Sequence, residues 1–191
     1  MPPHINPPSV LLDPARGHLR GAKVTTSQRV IRDLPGLFED EAARRALPQD
    51  TIAYRVEAHM DVPQGREGGL FFGTSYVMPG RVGDEYFMTK GHFHEKRDTG
   101  EYYWGIQGRG LLILMDEQRV CWAEEVFPGS LHYIPGKVAH RLANTGDEVL
   151  AVGACWLSES GHDYAAIEKE GFSARAKCVN GKPALVPAKT P

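Results

Sequence analysis

The chain has 191 residues, 22 Lys+Arg against 24 Asp+Glu, and a formal charge of −2, so it carries no basic excess of the kind that drives binding to nucleic acid or an anionic membrane. Apolar residues at 41% and charged residues at 24% are ordinary for a globular protein long enough to bury a real core. Twenty-one glycines and fourteen prolines favour many short, turn-separated strands over a helical bundle.

In chain order, residues 1–33 open with four prolines in eight positions and show no sustained periodicity, which predicts an extended arm draped over the core or over a partner subunit. The only apolar run in the first twenty residues is Val10-Leu11-Leu12, too short for a signal peptide or a spanning helix, so a cytoplasmic location is expected. Residues 35–47 predict a helix: Pro35 suits its first position, acids precede Arg44 and Arg45, and Pro48 stops it. From Thr51 the period changes to two. Ile52, Tyr54, Val56, Ala58 and Met60 share one face of a strand. Apolar runs at 70–78, 85–94, 101–107, 111–115, 119–125, 130–134, 139–144 and 148–157 continue the pattern, separated by Gly, Pro, Asp and Asn turns. Roughly eight to ten antiparallel strands in a barrel or sandwich are therefore expected. A short helix is predicted within 161–175 and a loose tail beyond it. The expected organisation is an arm and helix over 1–50, a barrel with its following helix over 51–175, and a tail over 176–191. Cys121, Cys155 and Cys178 are odd in number and widely spaced, neither a disulfide framework nor a zinc knuckle.

The chemistry is concentrated in His92, His94, Glu101 and His140. Two histidines two apart on a predicted strand point to one face. A hairpin return after residues 95–100 brings Glu101 opposite them, and closure of the barrel brings His140 alongside. Three imidazoles and a carboxylate, with no thiolate, suit Fe(II), Mn(II), Ni(II) or Zn(II) better than calcium or Cu(I), and leave coordination positions open for a substrate. Fe(II) is the leading expectation. The remaining histidines, His4, His18, His59 and His132, read as surface or structural.

These residues resemble the two cupin motifs, the first in His92-x-His94, Glu101 and Gly108, the second in Gly129, Pro135, His140 and Asn144. The six-residue gap before Glu101 is longer than the usual cupin spacing, Tyr86 stands where a glycine is common, and Gly136 lies one position early. A narrower resemblance accounts for the gap. The stretches YFMTKGHFH, EYYWGIQGRG, PGKVAHRLANTGDE and SGHDYAAIEKEGFS, spread over roughly 50–175, are similar to the cupin-type glucose-6-phosphate isomerases of archaea and some bacteria. The resemblance implies an all-β jelly-roll-like barrel, a homodimer and the interconversion of D-glucose 6-phosphate and D-fructose 6-phosphate in glycolysis and gluconeogenesis. Glu101 would act as the base of an enediol route, unless a metal-assisted hydride shift operates instead. Ser75, Thr89, Gly91 and Tyr103 would contact the sugar phosphate, with the ammonium of Lys90 beside them; His162 and Tyr164 would line the sugar pocket. Trp156 occupies a position often held by tyrosine in these enzymes. Two other readings use the same residues: an Fe(II)-dependent cupin dioxygenase, and a non-catalytic sugar- or metal-binding cupin. The residues before His92 disfavour the first, and the absence of any recognisable DNA-binding helix pair disfavours the second.

Overall fold

The computed structural model describes residues 3–189. Its strands are β1 (Val10–Leu12), β2 (Leu19–Gly21), β3 (Val24–Val30), β4 (Ile52–His59), β5 (Leu70–Val77), β6 (Arg81–Val82), β7 (Glu85–Tyr86), β8 (Glu101–Gln107), β9 (Gly110–Asp116), β10 (Cys121–Val126), β11 (Leu131–Ile134), β12 (Val138–Asn144), β13 (Leu150–Leu157), β14 (Ala174–Val179) and β15 (Lys182–Pro187). The helices are α1 (Glu41–Ala46) and α2 (Ala165–Glu168), with a 3-10 turn at Ile31–Asp33. The fold is all-β, as the strand periodicity predicts.

A six-stranded sheet in the order β11-β8-β13-β5-β4-β3 faces a three-stranded sheet β10-β9-β12, and every pairing is antiparallel. Leu112, Ile113, Leu114 and Met115 on β9 are all at most 1% exposed, because this strand is covered on both faces. Leu112 and Leu114 pair with Leu142 and His140 and share their inward face, while Ile113 pairs with Arg141 on the back. Behind the smaller sheet lie Phe172, just before β14, and Ala174 and Ala176 on β14 of the four-stranded sheet β15-β14-β7-β6, all buried. Each such large apolar side chain contributes about 1.5–3 kcal/mol of burial free energy.

Several local expectations are corrected. The helix predicted over 35–47 begins only at Glu41. Gly36 at φ +74 cannot lie in a right-handed helix, and the Asp40 carboxylate caps the real start by accepting from the Ala43 amide at 2.8 Å. The predicted helix within 161–175 shrinks to the single turn of α2. The predicted loose tail is instead the β14–β15 hairpin, closed by Asn180-Gly181, both at positive φ, between paired Val179 and Lys182. That is the geometry an Asn-Gly two-residue turn favours. The predicted arm is ordered: β3 forms the edge of the large sheet, and Gly17, His18 and Leu19 clamp its outer face through Thr74 and Glu57.

The predicted strand over 85–94 is regular only at Glu85–Tyr86. Beyond it the chain runs beside β12 through isolated bridges Met88↔Ala143 and His92↔His140. Thr89, Lys90 and Gly91 lie between these bridges on one side, and only Arg141 and Leu142 on the other, so one residue bulges out. Gly91 sits in that bulge at φ +75, where a Cβ would approach Phe172 at 2.8 Å and Arg141 at 2.9 Å. The bulge re-aims the chain just before the two histidines.

Candidate active site

The register of the large sheet sets out the site row by row. Thr25, Ala58, Gly73, Ala154 and Tyr103 form one cross-strand row, and Ser27, Val56, Ser75 and Val152 the next. Phe71, Trp156, Glu101 and Ile134 form a third. The small residues Ala58, Gly73 and Ala154 leave room at the centre. The result is a cavity of about 350 Å3 between the sheets. Its walls include Ser75, Thr89, Lys90, Gly91, His92, Glu101, Tyr103, His140, His162 and Tyr164. Every candidate ligand and substrate-contacting residue from the sequence except His94 borders this space, and His94 stands behind it, 5% exposed.

His92, His94, Glu101 and His140 each offer one ligand atom, and those atoms all lie within 4.8 Å of one another. They come from separate places: the bulged segment, the start of β8 and the middle of β12. The backbones of His92 and His140 bond each other in both directions, at 3.3 and 3.1 Å. The loop 95–100 is organised around His94. Its Nδ1–H donates to the Thr99 carbonyl at 2.8 Å, while Arg97 donates to the His94 carbonyl at 3.0 Å and to Asp163 at 2.5 Å. His140 Nδ1 donates to the Val138 carbonyl at 3.3 Å. The Nδ1 bonds turn Nε2 of both rings to the centre, and with an ion bound those atoms would present their lone pairs to it, the arrangement by which backbone acceptors orient metal-ligating histidines.

The electrostatics agree with a cation site. Glu101 is 5% exposed, and its Oε1 lies 3.3 Å from His94 Nε2 and 2.5 Å from His140 Nε2. Burial alone would raise its pKa, but His140 and His94 together hold it down to about 2, so it is a carboxylate. Burial and the neighbouring imidazoles push His92 well below the ordinary histidine value, keeping it neutral. Burial would also lower His94, but the bond and charge of Glu101 raise it. His140 Nε2 is buried and finds no aligned hydrogen-bond partner despite the close carboxylate. A buried imidazole nitrogen without an aligned partner beside a buried carboxylate is what a divalent cation would satisfy, and the donor set fits one.

The rest of the cavity is rich in hydroxyls. Burial raises the phenols of Tyr103, Tyr164 and, to about 12, Tyr54, so all three remain protonated donors across the physiological range. His162 and Tyr164 stack at 5.8 Å near the mouth, and the His92 ring lies 4.3 Å from His162. Burial lowers the His162 pKa. Thr25, Ser27 and Tyr54 also line the space, and sequence reasoning missed them as site residues. For Tyr54 the signal was present in the period-two face of β4; for Thr25 and Ser27 it was only the alternation within a polar edge strand. Arg97 and Thr99, which hold His94, had no readable signal. His132 is structural, bonded to Glu124 and Ser130, and the three cysteines are free.

The family model and the sequence relatives carry one name. The family described as Glucose-6-phosphate isomerase (GPI) matches residues 28–189. A protein named glucose-6-phosphate isomerase from Thermococcus litoralis is 36% identical over 176 residues, 92% of this chain and 92% of its own length. One of the same name from Thermococcus kodakarensis is 39% identical over 163 residues, 85% of this chain and 84% of that one. Another from Sinorhizobium medicae is 40% identical over 147 residues, 75% of this chain and 68% of that one. Among solved structures, an oxalate decarboxylase from Bacillus subtilis superposes with a TM-score of 0.44 and 18% identity, over 58% of this chain and 26% of that longer one. On the extent and identity of the sequence matches, the chain belongs to the glucose-6-phosphate isomerase family.

Proposed function

We propose that this chain interconverts D-glucose 6-phosphate and D-fructose 6-phosphate, at the hexose end of glycolysis and gluconeogenesis. One observation carries the reading beyond family membership: three imidazoles and one carboxylate converge on one wall of a hydroxyl-lined cavity large enough for a small ligand. His92, His94, Glu101 and His140 would hold the divalent ion, Fe(II) foremost, with Mn(II), Ni(II) or Zn(II) as alternatives. A bound ion of this kind polarises a carbonyl and gathers two adjacent substrate oxygens.

The chain supplies the rest. Ser75 and Thr89 offer hydroxyls, Lys90 an ammonium, Gly91 an unshielded backbone amide and Tyr103 a phenol to the phosphate. His162 and Tyr164 at the mouth orient the sugar hydroxyls. Trp156 keeps an indole N–H where related enzymes often place a phenol. Glu101 serves one of two routes. As a base it takes the C2 proton and returns it to C1; as a ligand only, it leaves hydrogen to pass directly between the two carbons. Running the reaction in deuterium oxide separates them: deuterium in the product marks proton transfer, and its absence marks direct transfer.

Residues 51–175 would form the catalytic barrel. A homodimer in the cytoplasm is the expected working state, and no helix among the described residues is long and apolar enough to cross a membrane. The decisive experiment reconstitutes the purified protein with each of the four metals and assays fructose 6-phosphate turnover beside elemental analysis. The expected result is turnover with about one ion per chain. Absence of turnover with every metal overturns the proposal.

A further inference from the structure

A second cavity, also about 350 Å3, lies behind the barrel wall that carries His140. Side chains alternate along β12, so His140 and Leu142 face the first cavity while Arg141 points out of its back. Arg141 is 4% exposed, forms no ion pair among the described residues, and its Nε has no hydrogen-bond partner. Its contacts are the Phe172 ring at 3.8 Å and the Met88 sulfur at 2.9 Å. Arg175 borders the same space. Its Nη1 is held by Glu85 at 2.7 Å, and its Nε is also buried without a partner. Lys90 closes one side and forms no ion pair among the described residues. The acids of the lining, Asp33 and Glu168, are exposed at the rim, and the Asp33 carboxylate is already engaged by the Val30 amide at 3.1 Å.

A buried guanidinium without a counter-ion is costly unless something fills that role. We propose that this second pocket binds a small molecule carrying a carboxylate or phosphate group, with Arg141 and Arg175 at its floor and Lys90 at its side. Guanidinium groups are suited to such oxyanions because their planar N–H pairs match two oxygens at once. Lys90, Gly91 and Tyr164 border both cavities, so an anion here would bear directly on residues that face the first one. The inference stands on Arg141 and its pocket alone and does not need the isomerase reading.

Calorimetric titration of the metal-loaded protein with inorganic phosphate, and separately with malonate, tests it, each with and without a saturating mixture of glucose 6-phosphate and fructose 6-phosphate. At least one anion should bind at one site per chain, and Arg141→Met should weaken that binding at least about tenfold, with or without the sugar phosphates. Gly36→Asp is the second variant. A Cβ at Gly36 meets open space at the rim, aspartate tolerates the positive φ there, and the new carboxylate should also weaken anion binding several-fold. This rim change keeps the proposal testable should Arg141→Met fail to fold. Binding of neither anion at about 10 mM, or variants that fold and bind as wild type, would each overturn it. A protein without isomerase turnover that still shows Arg141-dependent anion binding would sink the functional reading and leave this one standing.

Discussion

At the scale of single residues, the site depends on which atoms are left without partners. His140 Nε2 is buried and unpaired beside a carboxylate, and its Nδ1 is committed to a carbonyl. His140→Ala should therefore lose bound metal and turnover together, with a loss of affinity beyond the roughly 10–100-fold typical of a merely supporting residue. Elemental analysis after gel filtration reads the first and the fructose 6-phosphate assay the second; a variant that keeps its ion would show that the other three ligands suffice. Glu101→Gln separates two duties of one side chain. The amide oxygen can still coordinate but cannot accept a proton, so kcat should fall by about 100-fold or more if Glu101 is the base, with most of the metal retained. Loss of metal in step with loss of rate would instead make Glu101 chiefly a ligand.

At the scale of elements, the bulge before His92 matters most. A regular strand from Glu85 to His94 would pair residue for residue with β12, whereas the extra residue shifts that register by one. Gly91 permits the shift because it has no side chain at φ +75. Gly91→Ala should destabilise the fold by about 1–3 kcal/mol through backbone strain and the clash with Phe172 and Arg141. Urea unfolding measures it, and an unchanged midpoint would mean that the bulge relaxes freely. The alternation of β4 and the apolar runs of β5 and β13 made these strands legible from sequence, but not their order in the sheet. The bulge was not legible, because Thr89-Lys90-Gly91 reads equally well as ordinary strand. The β14–β15 hairpin could have been read from Asn180-Gly181 between short apolar runs.

At the scale of the whole molecule, the C-terminal hairpin is tied to the N-terminal half by ion pairs. Lys177 on β14 donates to Glu39 at 2.7 Å, and Arg175 reaches both Glu85 and the Leu37 carbonyl. The bond from Lys177 outweighs burial and lowers the Glu39 pKa. A carboxylate whose folded pKa lies below its unfolded value stabilises the fold above the unfolded value and loses that contribution as pH falls through the folded one. Lys177→Met should therefore be less stable than wild type near neutrality, with the difference shrinking below about pH 4 as Glu39 protonates in both states. Denaturant unfolding at a series of pH values checks this. A difference that stays constant into acid would assign the loss to packing rather than to the charge pair.

The amino-acid sequence by itself determined that the protein is a strand-rich barrel and which four residues could hold a metal. Period-two alternation and the grouping of His92, His94 and Glu101 are local properties, while the distant His140 was tied to them by the family resemblance. Only the tertiary structure decided that Thr25, Ser27 and Tyr54 share the cavity, that Arg97 and Thr99 hold His94, and that Arg141 faces a separate pocket behind His140. Those facts depend on register across six strands and on which face of β12 each side chain takes. Both are set by long-range pairing and by one inserted residue, and neither leaves a distinctive pattern in the chain.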